Sequence, residues 1–212
     1  MPGLSEKRCG KMSFVLGITG GIATGKSSVI DYIKKLHIPV VDADLIAREI
    51  VLPEKPALKE LVQYFGKQII DEQGCLDRKK LADIVFNNQE ELHQLDLLLA
   101  PYLRAEIKRQ IELNQKKSPI VVVDVPLMYE KGYDEWMDQV AVVYCTPQQQ
   151  LDRLMQRNHL DELQAKQRIH SQLPIDIKRQ MAEVVFDNTQ SLDETLKQVK
   201  TWLCDRKFIE NK

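Results

Sequence analysis

Residues 14–28, Phe-Val-Leu-Gly-Ile-Thr-Gly-Gly-Ile-Ala-Thr-Gly-Lys-Ser-Ser, constrain the fold more than any other stretch. Phe14 to Thr19 is a short apolar, β-branched run, the pattern of a buried strand. Gly20 to Ser27 fits G-x-x-x-x-G-K-[ST] at every fixed position, and helical apolar spacing resumes over residues 29–36. Strand, glycine loop and helix in that order form an anion cradle. Successive backbone N–H groups face inward and the helix N-terminus adds positive potential. Gly20 and Gly25 permit backbone angles and approaches that a Cβ hinders. Lys26 is expected to reach the β- and γ-phosphates of a nucleoside triphosphate, and the Ser27 hydroxyl to ligate Mg²⁺. The plainer alternative is a glycine turn with Lys26 as a solvated charge.

A chain of 212 residues, 43% hydrophobic, can bury one sizeable core with a small appended lid. Thirty basic against 31 acidic residues leave no global field for nucleic acid, so any anion site must be local. No apolar run is long enough to span a membrane. Residues 1–12 are polar and lack the apolar core of a signal peptide. Cys9, Cys75, Cys145 and Cys204 are scattered without zinc-site spacing. Free thiols in a reducing cytoplasm are the expectation.

Beyond the first helix, residues 38–41 read as a second strand running into Asp42 and Asp44. In open α/β sheets, ligands sit beyond the carboxyl ends of strands, so these carboxylates are candidates for chemistry. One of them also suits the N-cap of a helix over residues 45–51. Helices are expected over residues 57–65, then from Arg78 with Leu81, Ile84, Val85 and Phe86 inward and Asn87 and Asn88 ending it. A longer helical pattern covers residues 90–114, with Pro101 marking a kink or a junction. So much helix between two strands exceeds a simple crossover, and residues 53–117 read as a helical insertion that covers an acceptor.

Residues 120–124 form the most apolar strand, suited to the centre of a parallel sheet. Asp124 at its end is a candidate to hold Mg²⁺ directly or through water, or it caps the following turn. Residues 139–145 form a fourth strand and Pro147 opens a helix over residues 148–157 carrying Arg153 and Arg157. A second helix over residues 161–171 and a third after Pro174, with Lys178 and Arg179, complete a basic segment. Residues 148–181 are read as a lid closing on phosphates, against the alternative of ordinary solvated helices. Residues 184–186 form the last strand. Ser191 and Glu194 fit a capping box at the start of the final helix.

The expected fold is therefore α/β: a three-layer phosphate-loop kinase with a mostly parallel five-stranded sheet, the helical insertion and the lid. A guanine-selecting N-K-x-D segment is absent, which weighs against a signalling GTPase, and a single short chain without repeats weighs against a motor. A lid matters to a kinase because an open site hydrolyses its triphosphate.

Several blocks make the sequence resemble the dephospho-CoA kinase family. They are Thr19 to Ser27, Ile38 to Asp44 with Ala47 and Arg48, and Gly74 to Arg78. Asp124 to Leu127 with Glu130, Gln150 with Arg153 and Arg157, Arg168 with Gln172, and Asp187 with Asn188 extend the match in order. The resemblance implies ATP-dependent phosphorylation of the ribose 3′-hydroxyl of dephospho-CoA, the last step of coenzyme A synthesis, with Mg²⁺, in the cytoplasm. It implies catalytic roles for Lys26, Asp44 as base, and Arg157. Nucleotide contacts fall to Gly20, Gly21, Ile22, Ala23, Thr24, Gly25, Lys26, Ser27, Ser28 and Arg153. Acceptor contacts fall to Thr19, Asp44 and Arg78, and metal contacts to Ser27 and Asp124. Three positions depart from the family pattern. Ala23 replaces Gly and is expected to need a negative φ, Ala100 stands before Pro101 where His is usual, and Glu183 replaces Asp as a structural exchange. The alternatives are a related kinase acting on a nucleoside monophosphate or a shikimate-like alcohol, and a binding module that holds nucleotide without turnover.

Overall fold

The computed structural model describes residues 13–85 and 88–210. The readings made for residues 1–12, Cys9, Phe86 and Asn87 lie outside them. The chain divides into two compact units, one being Asp42–Gln110 and the other the segments on either side of it.

The first unit is built on a five-stranded sheet in the order β2-β3-β1-β4-β5. Its strands are β1 (Phe14–Gly20), β2 (Val40–Asp42), β3 (Ile120–Asp124), β4 (Gln139–Tyr144) and β5 (Val184–Asp187). β1 pairs in parallel with β3 and β4, and β4 with β5. Register sets Ile18 beside Asp124 and Gly20 beside Val143, so β1 and β3 deliver the loop and the carboxylate at one end. β3 is buried along its whole length, as its unbroken apolar run requires of a strand covered on both faces.

Alternation along the strands divides the core between the faces. Leu16, Ile18, Ile120, Val122, Ala141, Val143 and Phe186 meet Val29 and Ile33 of α1 (Lys26–Lys35) and Val199 and Leu203 of α9 (Leu192–Asp205). On the other face Val142 and Tyr144 meet Ile175 of α8 (Ile175–Met181). Gly17, in mid-strand, has no room for a side chain, because a Cβ there would lie 2.7 Å from both Met128 and Met137. Between β4 and α8 lie α6 (Pro147–Asn158) and α7 (Glu162–His170), packed together through Leu151, Leu154 and Ala165. Thr146 and Gln149 close a capping box on α6, and Ser191 with Glu194 close the expected one on α9. Glu183 accepts the Val140 N–H at 2.8 Å, which gives that departure the structural role expected of it.

The second unit holds α2 (Ala43–Glu49), α3 (Pro56–Phe65), α4 (Arg78–Val85) and most of α5 (Gln89–Gln115). Val51, Leu61, Phe65, Ile69, Leu81 and Val85 form its core. Pro101 lies inside one continuous α5 instead of at a junction. Pro101 and Leu97 are on the exposed side, where water can take the carbonyl that proline leaves without a partner. Asn88 opens α5 instead of ending α4, since its side chain accepts the N–H groups of Glu90 and Glu91.

Candidate active site

The glycine loop leaves β1 at Gly20 and enters α1 at Lys26. Gly25 has φ 96°, and the space of its missing Cβ is taken by the Asn188 amide. The N-cap of α1 is Gly25, which has no side chain to cap the helix, and a helix N-terminus favours an anion. Thr24 braces the turn from inside, its hydroxyl donating to Gly21 O at 2.9 Å. Ala23 overturns the expectation of a negative φ: it sits at φ 62°. A Cβ in this left-handed region costs about 1–2 kcal/mol, and the surrounding contacts must hold it there.

Three carboxamides surround the loop. Gln150 of α6 donates to Ile22 O at 2.9 Å, Gln172 accepts the Ile22 N–H at 3.0 Å, and Asn188 donates to Thr24 O at 2.8 Å. Asn188 is itself held by the buried Thr195 hydroxyl of α9 and by Arg153, which donates to its carbonyl at 3.0 Å. The sequence blocks contain all three amides. Their roles depend on separations of 128 to 164 residues, which no local pattern reports.

Lys26 and Asp124 form an ion pair at the mouth of the loop, with side chains 14% and 10% exposed. Ser27 is exposed beside them. A hydroxyl and a carboxylate are hard oxygen donors, which fits Mg²⁺ held mainly by phosphate oxygens and water. Among the described residues there is no cluster of three His, Cys, Asp or Glu able to cage a metal. Thr19 is fully buried and its hydroxyl donates to Pro126 O at 3.1 Å, so it fastens the loop after β3. Lys178, read from sequence as part of the basic lid segment, is fully buried. It donates to Pro126 O and Glu130, each at 2.8 Å. Arg179 stacks over the Tyr144 ring at 4.5 Å. Charge pattern alone could not separate these buried and stacked cations from a solvated face. Arg157 remains exposed at the end of α6, donating to its neighbour Asn158 at 2.9 Å. Burial pushes the Cys145 thiol up, with the Arg153 guanidinium opposing.

In the second unit the two aspartates separate cleanly. Asp42 caps α2, accepting the Leu45 N–H at 3.0 Å. Asp44 stands exposed in the first turn, with no hydrogen bond or ion pair to the described residues. Arg78 begins α4 and donates to Arg48 O at 3.3 Å.

A phosphate loop at the carboxyl end of a parallel strand, with a lysine and a carboxylate beside it, defines a P-loop nucleotide-binding enzyme. The dephospho-CoA kinase family model matches residues 14–194. A dephospho-CoA kinase from Enterococcus faecalis is 52% identical over 192 residues, covering 91% of this chain and 96% of that protein. One from Bacillus cereus is 42% identical over 200 residues, covering 94% and 100%. Among solved structures, TT1252 from Thermus thermophilus aligns with TM-score 0.76 at 30% identity, covering 92% of this chain and 98% of that one. Dephospho-CoA kinase from Campylobacter jejuni aligns with TM-score 0.71 at 31% identity, covering 90% and 96%. The chain belongs to the dephospho-CoA kinase family, whose reaction is the final step of coenzyme A synthesis.

Proposed function

We propose that this chain transfers the γ-phosphoryl group of ATP to the ribose 3′-hydroxyl of dephospho-CoA, giving coenzyme A and ADP. The observation that carries the reading is the braced phosphate loop with Lys26 and Asp124 at its mouth, in a chain of this family. Loop N–H groups and Lys26 grip the polyphosphate, with residues 20–28 and Arg153 forming the nucleotide site. Ser27 and Asp124 would hold Mg²⁺, which would supply charge neutralisation on the polyphosphate. Asp44 accepts the proton of the attacking hydroxyl. Its capping neighbour Asp42 is already engaged, which leaves the Asp44 carboxylate free. Arg78 and Thr19 serve the acceptor side, Arg78 by contact and Thr19 by fastening the loop that follows Asp124. Arg157 meets the transferred phosphoryl group, where a planar guanidinium matches charge spread over several oxygens. Residues 53–117 and 148–181 act as acceptor cover and lid in this scheme, and the reaction takes place in the cytoplasm. No helix among the described residues is long and apolar enough to cross a membrane.

Incubation with Mg·ATP and dephospho-CoA, with product phosphate located by ³¹P NMR, tests the proposal. Phosphate on the ribose 3′-oxygen supports it. Transfer instead to a nucleoside monophosphate or shikimate assigns a related kinase, and ATP binding without transfer to any acceptor assigns a binding module.

A further inference from the structure

The loop's strained residue lies between two clamped ones. Ile22 has both its peptide groups engaged, the carbonyl by Gln150 of α6 and the N–H by Gln172. Thr24 has its carbonyl taken by Asn188. Ala23 between them is left-handed. Ile22 and Ala23 also pack against the apolar seam of α6 and α7, beside Leu151, Leu154 and Ala165. Gln172 is anchored from behind: the next residue, Leu173, donates its N–H to Glu130, which is paired with the buried Lys178. The link between α7 and α8 is therefore hydrogen-bonded to the phosphate loop on one side and to the Lys178–Glu130 ion pair on the other.

We infer that Gln172 is a positioning residue for ATP. With Gln150 and Asn188 it holds Ala23 in the left-handed conformation that aims the remaining loop N–H groups at the polyphosphate, and it makes nucleotide grip depend on the seating of the α7–α8 link. Gln172 touches no reacting atom in this role. The inference rests on the kinase reading above. Its sign at position 23 follows from backbone sterics. Alanine avoids positive φ, whereas glycine adopts it freely, so a loop with glycine at position 23 needs its clamps less.

The test compares wild type, Gln172→Met, Ala23→Gly and the double variant. Steady-state kinetics are measured with Mg·ATP and dephospho-CoA, and equilibrium binding with a non-hydrolysable ATP analogue. Gln172→Met keeps the length of the side chain and loses the carbonyl acceptor. It is expected to raise KM for ATP and analogue Kd about three- to tenfold, the size of one lost hydrogen bond, with KM for dephospho-CoA unchanged. Adding Ala23→Gly is expected to recover most of that loss. A merely structural role lowers kcat through a smaller active fraction at unchanged KM, and that result overturns the inference. So does a Gln172→Met effect of equal size with alanine or glycine at position 23. Wild type that binds the analogue yet never phosphorylates dephospho-CoA refutes the kinase reading instead, and the binding arm still decides whether Gln172 grips nucleotide.

Discussion

The Lys178 ammonium lies 2.8 Å from the Glu130 carboxylate with its own side chain wholly out of water. Breaking such a pair strands a buried charge, which typically costs about 3–5 kcal/mol, whereas replacing both partners by apolar groups is often neutral. Lys178→Met is therefore expected to destabilise by about that amount in urea unfolding, and Lys178→Met/Glu130→Leu to recover most of it. Additive losses in the double variant show that the two residues do not act as a pair.

The same lysine gives stability a pH dependence. Burial pushes Lys178 below its ordinary value of 10.5, with Glu130 opposing and Lys26 adding to the lowering. Just below pH 10.5 the unfolded chain therefore holds more protons at this position than the folded one. Stability rises with pH across that window, and below the folded value the burial penalty is present in full. The Lys178→Met/Glu130→Leu variant is expected to lose this rise in unfolding free energies measured toward alkaline pH. An unchanged slope assigns the dependence to other groups.

Lys26→Met is expected to reduce kcat for phosphoryl transfer by about 10²–10³-fold, the loss typical of one transition-state donor. Thermal unfolding of the variant, measured alongside, reports the cost of losing the Lys26–Asp124 ion pair. Substantial turnover in a folded Lys26→Met protein removes the loop from the chemistry.

Asp44→Asn is expected to lower kcat by about 10²–10⁴-fold with ATP-analogue Kd and stability unchanged, because the α2 cap belongs to Asp42. Near-normal kcat excludes Asp44 as the base.

On α5, the Arg109 guanidinium clasps Glu106 with two hydrogen bonds of 2.6 and 2.8 Å and holds its carboxyl at about 2. The contribution is full above the ordinary carboxylate range and is lost as pH falls through about 2. Arg109→Ala should let Glu106 titrate nearer its ordinary value of 4.5 in side-chain NMR, and unfolding should move to higher pH. A Glu106 titration unmoved by the substitution shows that other partners hold it down.

The sheet was legible because its signals are local. The apolar runs of β1, β3 and β4, the G-x-x-x-x-G-K-S spacing and the Ser191–Glu194 box each lie within a few residues of one another. Thr146 and Gln149 carried an equally local capping signal that went unread behind Pro147. The rest depended on tertiary partners. Lys178 looks like any other basic residue until Glu130 and Pro126 meet it, and Pro101 reads as a kink or a junction until the exposed side of a continuous helix takes it. Ala23 is the sharpest case, because its positive φ sits beside a residue, Ile22, whose amide partners lie more than a hundred residues away in sequence.

Lys26 at the mouth of the phosphate loop already has Asp124 as a counter-ion, which offsets its charge locally. In the proposed scheme an arriving triphosphate exchanges with the Asp124 carboxylate on Lys26, so capture is a swap and not a fall into an open positive well. Nucleotide affinity is then expected to weaken less with added salt than that of a bare cationic pocket.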